Sequence, residues 1–165
     1  MRLFVAVWPS EAALGAVAAL PRPEVPGVRW TRRTAWHVTL RFLGEVDDPA
    51  PVVTALERAS LEPAWARLGP RSATFGRRVL ILPVAGLDAL AAGVDAALRP
   101  PAFPERDGAF RGHLTVARAR RGASVRPLAG TAVAVGFAVD AVVLVRSRPG
   151  PGGHTYEVVH QRRIG

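Results

Sequence analysis

Two short stretches of this 165-residue chain carry the residue types for phosphate chemistry. The first is Trp36-His37-Val38-Thr39-Leu40-Arg41-Phe42-Leu43-Gly44 and the second is Gly112-His113-Leu114-Thr115-Val116-Ala117-Arg118. Each reads His-x-Thr-x with apolar residues at x. Side chains on a strand alternate between faces, so His37, Thr39 and Arg41 share one side, as do His113 and Thr115. Residues two apart stand about 6.6 Å from each other, close enough for an imidazole and a hydroxyl to touch one small anion. Two such pairs facing each other make a cleft with two titratable bases and two hydroxyl donors. Imidazole has an ordinary pKa near 6.5, so one ring can accept a proton near neutral pH while the other donates. A single His-x-Thr triplet is also what an exposed strand with a β-prone threonine would show. It is the matched second copy that makes the pattern specific.

Other residues are candidates for holding substrate. Arg41 falls on the histidine side of a regular strand and is positioned to meet a phosphate. Arg118 points away from His113 under strict alternation, unless the strand twists or bulges there. Trp30, Phe42, Phe110 and Tyr156 could each offer a ring for a base to stack on, as single-strand binders do. For Phe42 the alternation favours packing in the core instead. His154 and His160 have no Asp or Glu at metal-ligand spacing and read as strand-end histidines. Residues 150–153 are glycine-rich but lack the Gly-Lys-Ser/Thr ending of a P-loop, and so read as a turn. No nucleophile elbow and no acidic pair for two metals is present.

The elements that must position these residues are legible from punctuation. Residues 3–8 read as a buried strand stopped by Pro9, and Ser10 caps a helix that runs to about 20. Residues 28–31 form a short strand, followed by the central strand 35–43, and Asp48-Pro49 opens a helix over about 50–60. Residues 61–77 are harder to read, with a strand at 71–75. Residues 78–84 form an apolar strand that Pro83 ends or places at a sheet edge. A helix at 88–98 and a proline-rich loop at 99–108 lead to the second His-x-Thr strand. Further strands follow at 131–139, 141–146 and 154–160. Strands interleaved with two or three helices indicate an α+β fold. The histidine strand recurs once per half with a helix near each copy, so a single pseudo-symmetric, two-lobed domain over 1–165 is expected.

Composition bounds the partners. Hydrophobic residues make up 49% of the chain, enough for a packed core, and the net charge of +9 favours a polyanion such as nucleic acid. The abundance of Arg, Ala, Gly and Pro tempers that inference, because it also follows from base composition. Cysteine is absent, which excludes disulfides, thiol catalysis and Cys-ligated metals. Pro9-Ser10-Glu11 interrupts the apolar N-terminal stretches, so no signal peptide is expected, and no apolar run is long enough to span a membrane. A cytoplasmic, soluble monomer is the expectation.

The chain resembles the two-histidine phosphoesterases, and within them the RNA 2′,3′-cyclic phosphodiesterases, also called the 2′-5′ RNA ligase family. The resemblance runs over nearly the whole length. It includes the opening Met1-Arg2-Leu3-Phe4-Val5-Ala6-Val7, Val28-Arg29-Trp30 and both histidine stretches, Arg118 among them. It closes with Arg146-Ser147 through Gly153 to Tyr156-Glu157-Val158. Trp36, and Phe110-Arg111-Gly112 before the second histidine, depart from the family's usual residues. The resemblance implies two antiparallel-sheet lobes facing across a cleft, helices outside, and no cofactor or metal. It also implies opening of a terminal 2′,3′-cyclic phosphate on RNA to a 2′-phosphomonoester. In that reaction His37 is the proton donor, His113 the acceptor, and Thr39 and Thr115 hold the non-bridging oxygens. Action on 2′-5′ linkages or on a small cyclic nucleotide is an alternative within enzymes. A basic RNA-binding module is the alternative outside them.

Overall fold

The computed structural model describes residues 1–99, 103, 106, 108–151 and 153–165. The described residues form ten strands and three α-helices. In order they are β1 (Arg2–Val7), α1 (Glu11–Ala18), β2 (Val28–Trp30), β3 (Val38–Glu45), α2 (Ala50–Arg58), β4 (Ala64–Leu68), β5 (Ala73–Phe75), β6 (Val79–Ala85), α3 (Asp88–Ala97), β7 (His113–Ala119), β8 (Val135–Val139), β9 (Ala141–Gly150) and β10 (Gly153–Arg163). Strand pairing follows the path β10-β9-β1-β3-β7-β6-β4-β8, with β2 added to β7 and β5 to β6. Every pairing among the described residues is antiparallel. The result is a curled, mostly antiparallel sheet with three helices, an α+β fold.

The strand path has a centre of symmetry between β3 and β7, which carry the two motifs. Four strands lie on each side of that point. Helix α1, which follows β1, packs against β8 of the opposite half, and α3, which follows β6, packs against β3. Each helix therefore ties its own half to the other. The ten-strand sheet buries Leu3, Val5 and Val7 of β1 on the helix side, together with Val38, Leu40, Leu82, Leu114 and Leu144. The alternate residues Phe4 and Ala6 join Val143 and Val145 in a small cluster on the other face. Both faces of β1 are therefore apolar, as its unbroken hydrophobic run requires.

Local signals explain most boundaries. Ser10 caps α1 by accepting a hydrogen bond from the Ala13 amide at 3.2 Å, and Asp48 Oδ1 accepts from the Ala50 amide at 3.0 Å where α2 begins. The central strand begins at Val38, not at 35, because a 3₁₀ turn occupies Arg33–Ala35. Strand β4 lies within the stretch that the sequence left unread. β6 is not a sheet edge despite Pro83: it pairs with β7 on one side and with β4 and β5 on the other, and the Pro83 carbonyl accepts from the Gly69 amide at 2.9 Å. The proline-rich loop expected over 99–108 falls largely outside the described residues.

The largest departure from sequence expectation lies in β3. The β1–β3 register skips Leu40, pairing Val5 with Arg41 and Ala6 with Thr39. One extra residue in a strand reverses which face its successors occupy. Arg41 consequently turns inward, to 4% exposure, and its Nη1 meets Asp95 Oδ1 of α3 at 2.6 Å. Arg106 also bonds Asp95 and donates to the Leu40 carbonyl, the carbonyl of the bulged residue. Burial pushes the Asp95 carboxyl up, but the hydrogen bonds from Arg106 and Arg41 outweigh it and hold its pKa below the ordinary value. Arg41 is thus a structural residue and not the phosphate ligand that alternation suggested. Asp95→Ala takes the carboxylate from a buried guanidinium and loosens the bulge. The expected loss is about 2 kcal/mol, less than for a fully buried pair because Asp95 is partly exposed. Denaturant unfolding measures this, and a loss under about 0.5 kcal/mol would contradict it.

Candidate active site

The two motif strands touch through one residue pair, Val38 opposite Leu114. Each is the residue immediately after a motif histidine. In an antiparallel pair, stepping one residue either way sets His37 opposite Thr115 and Thr39 opposite His113. Directly opposite residues have Cα atoms about 4.5–5.5 Å apart. Val38 and Leu114 are fully buried on the helix side, so all four polar side chains emerge on the other face. There they line one cleft of about 690 Å³.

Symmetry extends past the motifs. The β6–β7 register skips Val116, pairing Leu80 with Ala117 and Ile81 with Thr115, just as the β1–β3 register skips Leu40. Both bulges fall three residues after the histidine, and both bring the residue five after it onto the cleft face. In β3 that residue is Phe42, which is 62% exposed; in β7 it is Arg118, and both line the cleft. Alternation alone had sent Arg118 away and Phe42 into the core, and the bulges reverse both. Neither bulge has a signature in the sequence. The equal spacing of Phe42 and Arg118 from their histidines was the available sign that they are counterparts.

The surroundings of the two histidines differ. His37 stacks on Phe4 with ring centroids 4.9 Å apart and meets the edges of Trp8 and Tyr156. Its Nδ1 is buried without a well-formed hydrogen bond. Burial lowers its pKa to about 4, opposed by the Ala35 backbone and reinforced by the nearby charges of His113 and Arg118. A ring with that pKa is neutral near pH 7. His113 contacts only one ring edge-on, Phe75 at 4.6 Å, and its Nδ1 lies 2.7 Å from the Arg111 carbonyl. A carbonyl can only accept, so Nδ1 is the donor, and in the neutral ring Nε2 carries the lone pair. Gly112 allows this placement, since a Cβ there would stand 2.2 Å from the Val84 carbonyl.

Of the remaining sequence candidates, Trp30 and Tyr156 line the cleft. The Trp30 indole donates to the Pro23 carbonyl at 3.3 Å. Burial raises the Tyr156 pKa, against the opposing pull of Arg118 and Arg2. Phe110 is not among the lining residues. It packs against the core with the Arg106 guanidinium over its ring, so the expectation of a stacking surface there is corrected. Thr31 ties the site together: its hydroxyl donates to the Thr115 carbonyl at 3.0 Å and accepts from the Trp36 indole at 2.9 Å. His154 also reaches the cleft, with Nδ1 3.0 Å from Ser147 Oγ, whereas His160 pairs with Glu57 outside it. Phe4, Arg2, Arg29 and Arg32 line the cleft without having been singled out in the sequence. Among the described residues no group of three His, Cys, Asp or Glu side chains gathers as metal ligands. No described helix is long and apolar enough to cross a membrane.

A curled antiparallel sheet with paired His-x-Thr strands across one cleft defines a two-histidine phosphoesterase architecture. The chain belongs to the 2′-5′ RNA ligase superfamily, whose family model matches residues 9–151. Among solved structures it is similar to TT0787 of Thermus thermophilus, with 29% identity, a TM-score of 0.83, and coverage of 99% of this chain and 98% of that one. Escherichia coli LigT complexed with 3′-AMP matches at 21% identity and TM-score 0.79, covering 99% and 97% of the two chains. The MHV ns2 PDE domain matches more distantly, at 17% identity and TM-score 0.54, covering 96% and 99%. No curated protein matches the chain in sequence.

The buried neutral His37 links stability to pH. Between its ordinary value of 6.5 and the folded value of about 4, the unfolded chain binds a proton that the folded chain does not. Stability therefore falls as pH drops through that window, by on the order of 2–3 kcal/mol at its lower end. In His37→Gln, which cannot charge, the loss is smaller by that amount. Denaturant unfolding of both proteins from pH 7 to about pH 4 measures the difference, and parallel curves would contradict it.

Proposed function

We propose that this chain hydrolyses terminal 2′,3′-cyclic phosphates of RNA to 2′-phosphomonoesters by acid–base catalysis without a metal, with residues 1–165 acting as one catalytic domain. The observation that carries the reading is the Val38–Leu114 pairing, which sets two imidazoles and two threonine hydroxyls on one face of one cleft. Binding alone needs no paired acid and base. The net positive charge and the cleft arginines suit an RNA end. The fold relative LigT, solved with 3′-AMP and with phosphate, lends support to a nucleotide phosphate as the ligand.

In this mechanism His113 is the base. Its Nδ1–H is held by the Arg111 carbonyl, leaving Nε2 to take a proton from the attacking water. The water oxygen bonds to phosphorus, the bond from phosphorus to the 3′ oxygen breaks, and His37 delivers a proton to that oxygen. The product keeps its phosphate on the 2′ oxygen. Thr39 and Thr115 donate to the non-bridging oxygens as charge accumulates there. His37 must be protonated for its part, and burial opposes this. The negative charge of a bound cyclic phosphate works against that penalty and favours the imidazolium. The mechanism thus requires substrate to raise the His37 pKa enough to charge the ring. With the 5′-hydroxyl of a second RNA in place of water, the same step would break the bond to the 3′ oxygen and leave a 2′-5′ linkage, a second activity that the superfamily's name favours.

His37→Ala and His113→Ala should each lower kcat by about 10²–10⁴, and Thr39→Val or Thr115→Val by about 10². The wild-type protein is assayed on a cyclic-phosphate-ended oligoribonucleotide in chelator, with the product identified as 2′- or 3′-phosphate. A 2′-phosphate and a bell-shaped kcat profile support the reading. A 3′-phosphate, a divalent-metal requirement, or a flat profile between about pH 5 and 9 would overturn it. Full turnover by His37→Ala would remove His37 from the mechanism, whereas RNA binding without turnover by the wild-type protein would favour a binding module instead.

A further inference from the structure

The cleft is lined by four arginines and three histidines, with no Asp or Glu among its described residues. Two of the arginines are arranged unusually. Strand β2 pairs with β7 so that Arg29 stands directly opposite Arg118. Directly opposed side chains share a face, and like charges so placed destabilise a sheet. Neither guanidinium is relieved by a carboxylate: the ion pairs among the described residues involve other arginines. Both are exposed and line the cleft, so an anion bound there would relieve a repulsion that otherwise only solvent screens.

The reacting phosphate occupies the His–Thr quartet in the reading above, on which this inference rests. Arg118 lies three residues beyond Thr115 along β7, about 10 Å at ~3.3 Å per residue and somewhat less across the bulge. The arginine pair is thus offset from the quartet along the strand axis. One small anion cannot fill both places. Arg32, just beyond β2, extends the same positive strip along the cleft. Trp30, between them, presents part of its surface to the cleft.

We infer that Arg29, opposite Arg118, forms a second anion subsite that takes the phosphodiester on the 5′ side of the terminal nucleotide. Substrates with that upstream phosphate bridge both places, whereas a nucleoside cyclic phosphate fills only the quartet. The site thereby selects RNA ends over mononucleotides. The selection is electrostatic and carries no base sequence.

The test compares kcat/KM for a cyclic-phosphate-ended tetraribonucleotide with that for the corresponding nucleoside 2′,3′-cyclic phosphate. Wild type, Arg29→Gln and Arg29→Lys are each assayed on both. Arg29→Gln should cut the preference for the tetranucleotide about tenfold, and Arg29→Lys should keep most of it. The salt dependence of tetranucleotide binding should flatten by about 0.7 in log–log slope in Arg29→Gln. A preference changed less than twofold, whether both substrates suffer alike or neither does, overturns the subsite. Should wild type turn over neither substrate, the proposed hydrolysis fails by itself. Binding of a fluorescent 3′-phosphorylated tetranucleotide then decides the subsite: weaker binding by Arg29→Gln supports it and equal binding refutes it.

Discussion

The contact between Val38 and Leu114 is the constraint on which the active face depends. It is the only described pairing between β3 and β7, and it joins two halves that are also tied by crossing helices and by the hydrogen bonds of Thr31 and Arg106. Because each partner directly follows a motif histidine, this one pair fixes the register of all four polar residues at once. A slip of one residue would send the histidines and threonines of one strand into the core. The complete burial of both side chains guards against that. Burying the valine and leucine is worth roughly 1.5–3 kcal/mol each, and a slipped register would bury imidazole and hydroxyl in their place.

Backbone symmetry and chemical asymmetry meet at the same site. The motifs, the bulges and the residue brought round by each bulge correspond across the pseudo-twofold axis. The groups around them do not. His37 sits among Phe4, Trp8 and Tyr156, while His113 has one aromatic neighbour and a backbone carbonyl on Nδ1. The bulges deliver an apolar ring on one side and a guanidinium on the other. These unequal surroundings make the two imidazoles chemically distinct. They also give the cleft a charged end, along β2 and β7, and an aromatic end near Phe42.

Sequence reading reached the centre of this site and lost its flanks for a definite reason. The His-x-Thr pairs, Trp30 and Tyr156 lie where they were expected, as do most strands and all three helices. Alternation held from His37 to Thr39 and from His113 to Thr115, which is why those four were legible. It failed one step later in each strand, at Leu40 and Val116, because a bulge is a matter of pairing register and leaves no mark in hydrophobic pattern. Arg41 and Phe42 were exchanged on that account, and Arg118 was recovered only through its resemblance to a family position. Phe110 was misjudged differently: an aromatic residue beside a motif was read as a stacking surface, yet its ring packs against the core under Arg106. The Asp95 network was invisible because it joins residues distant along the chain.

The central claim is that two imidazoles from separate halves of the chain act on a single phosphate. The most direct measurement follows the ¹⁵N resonances of both rings during titration with a 2′-nucleotide product. The account predicts that His37 and His113 shift together, with one dissociation constant and one equivalent bound. Movement of only one ring, or two separate constants, would contradict it.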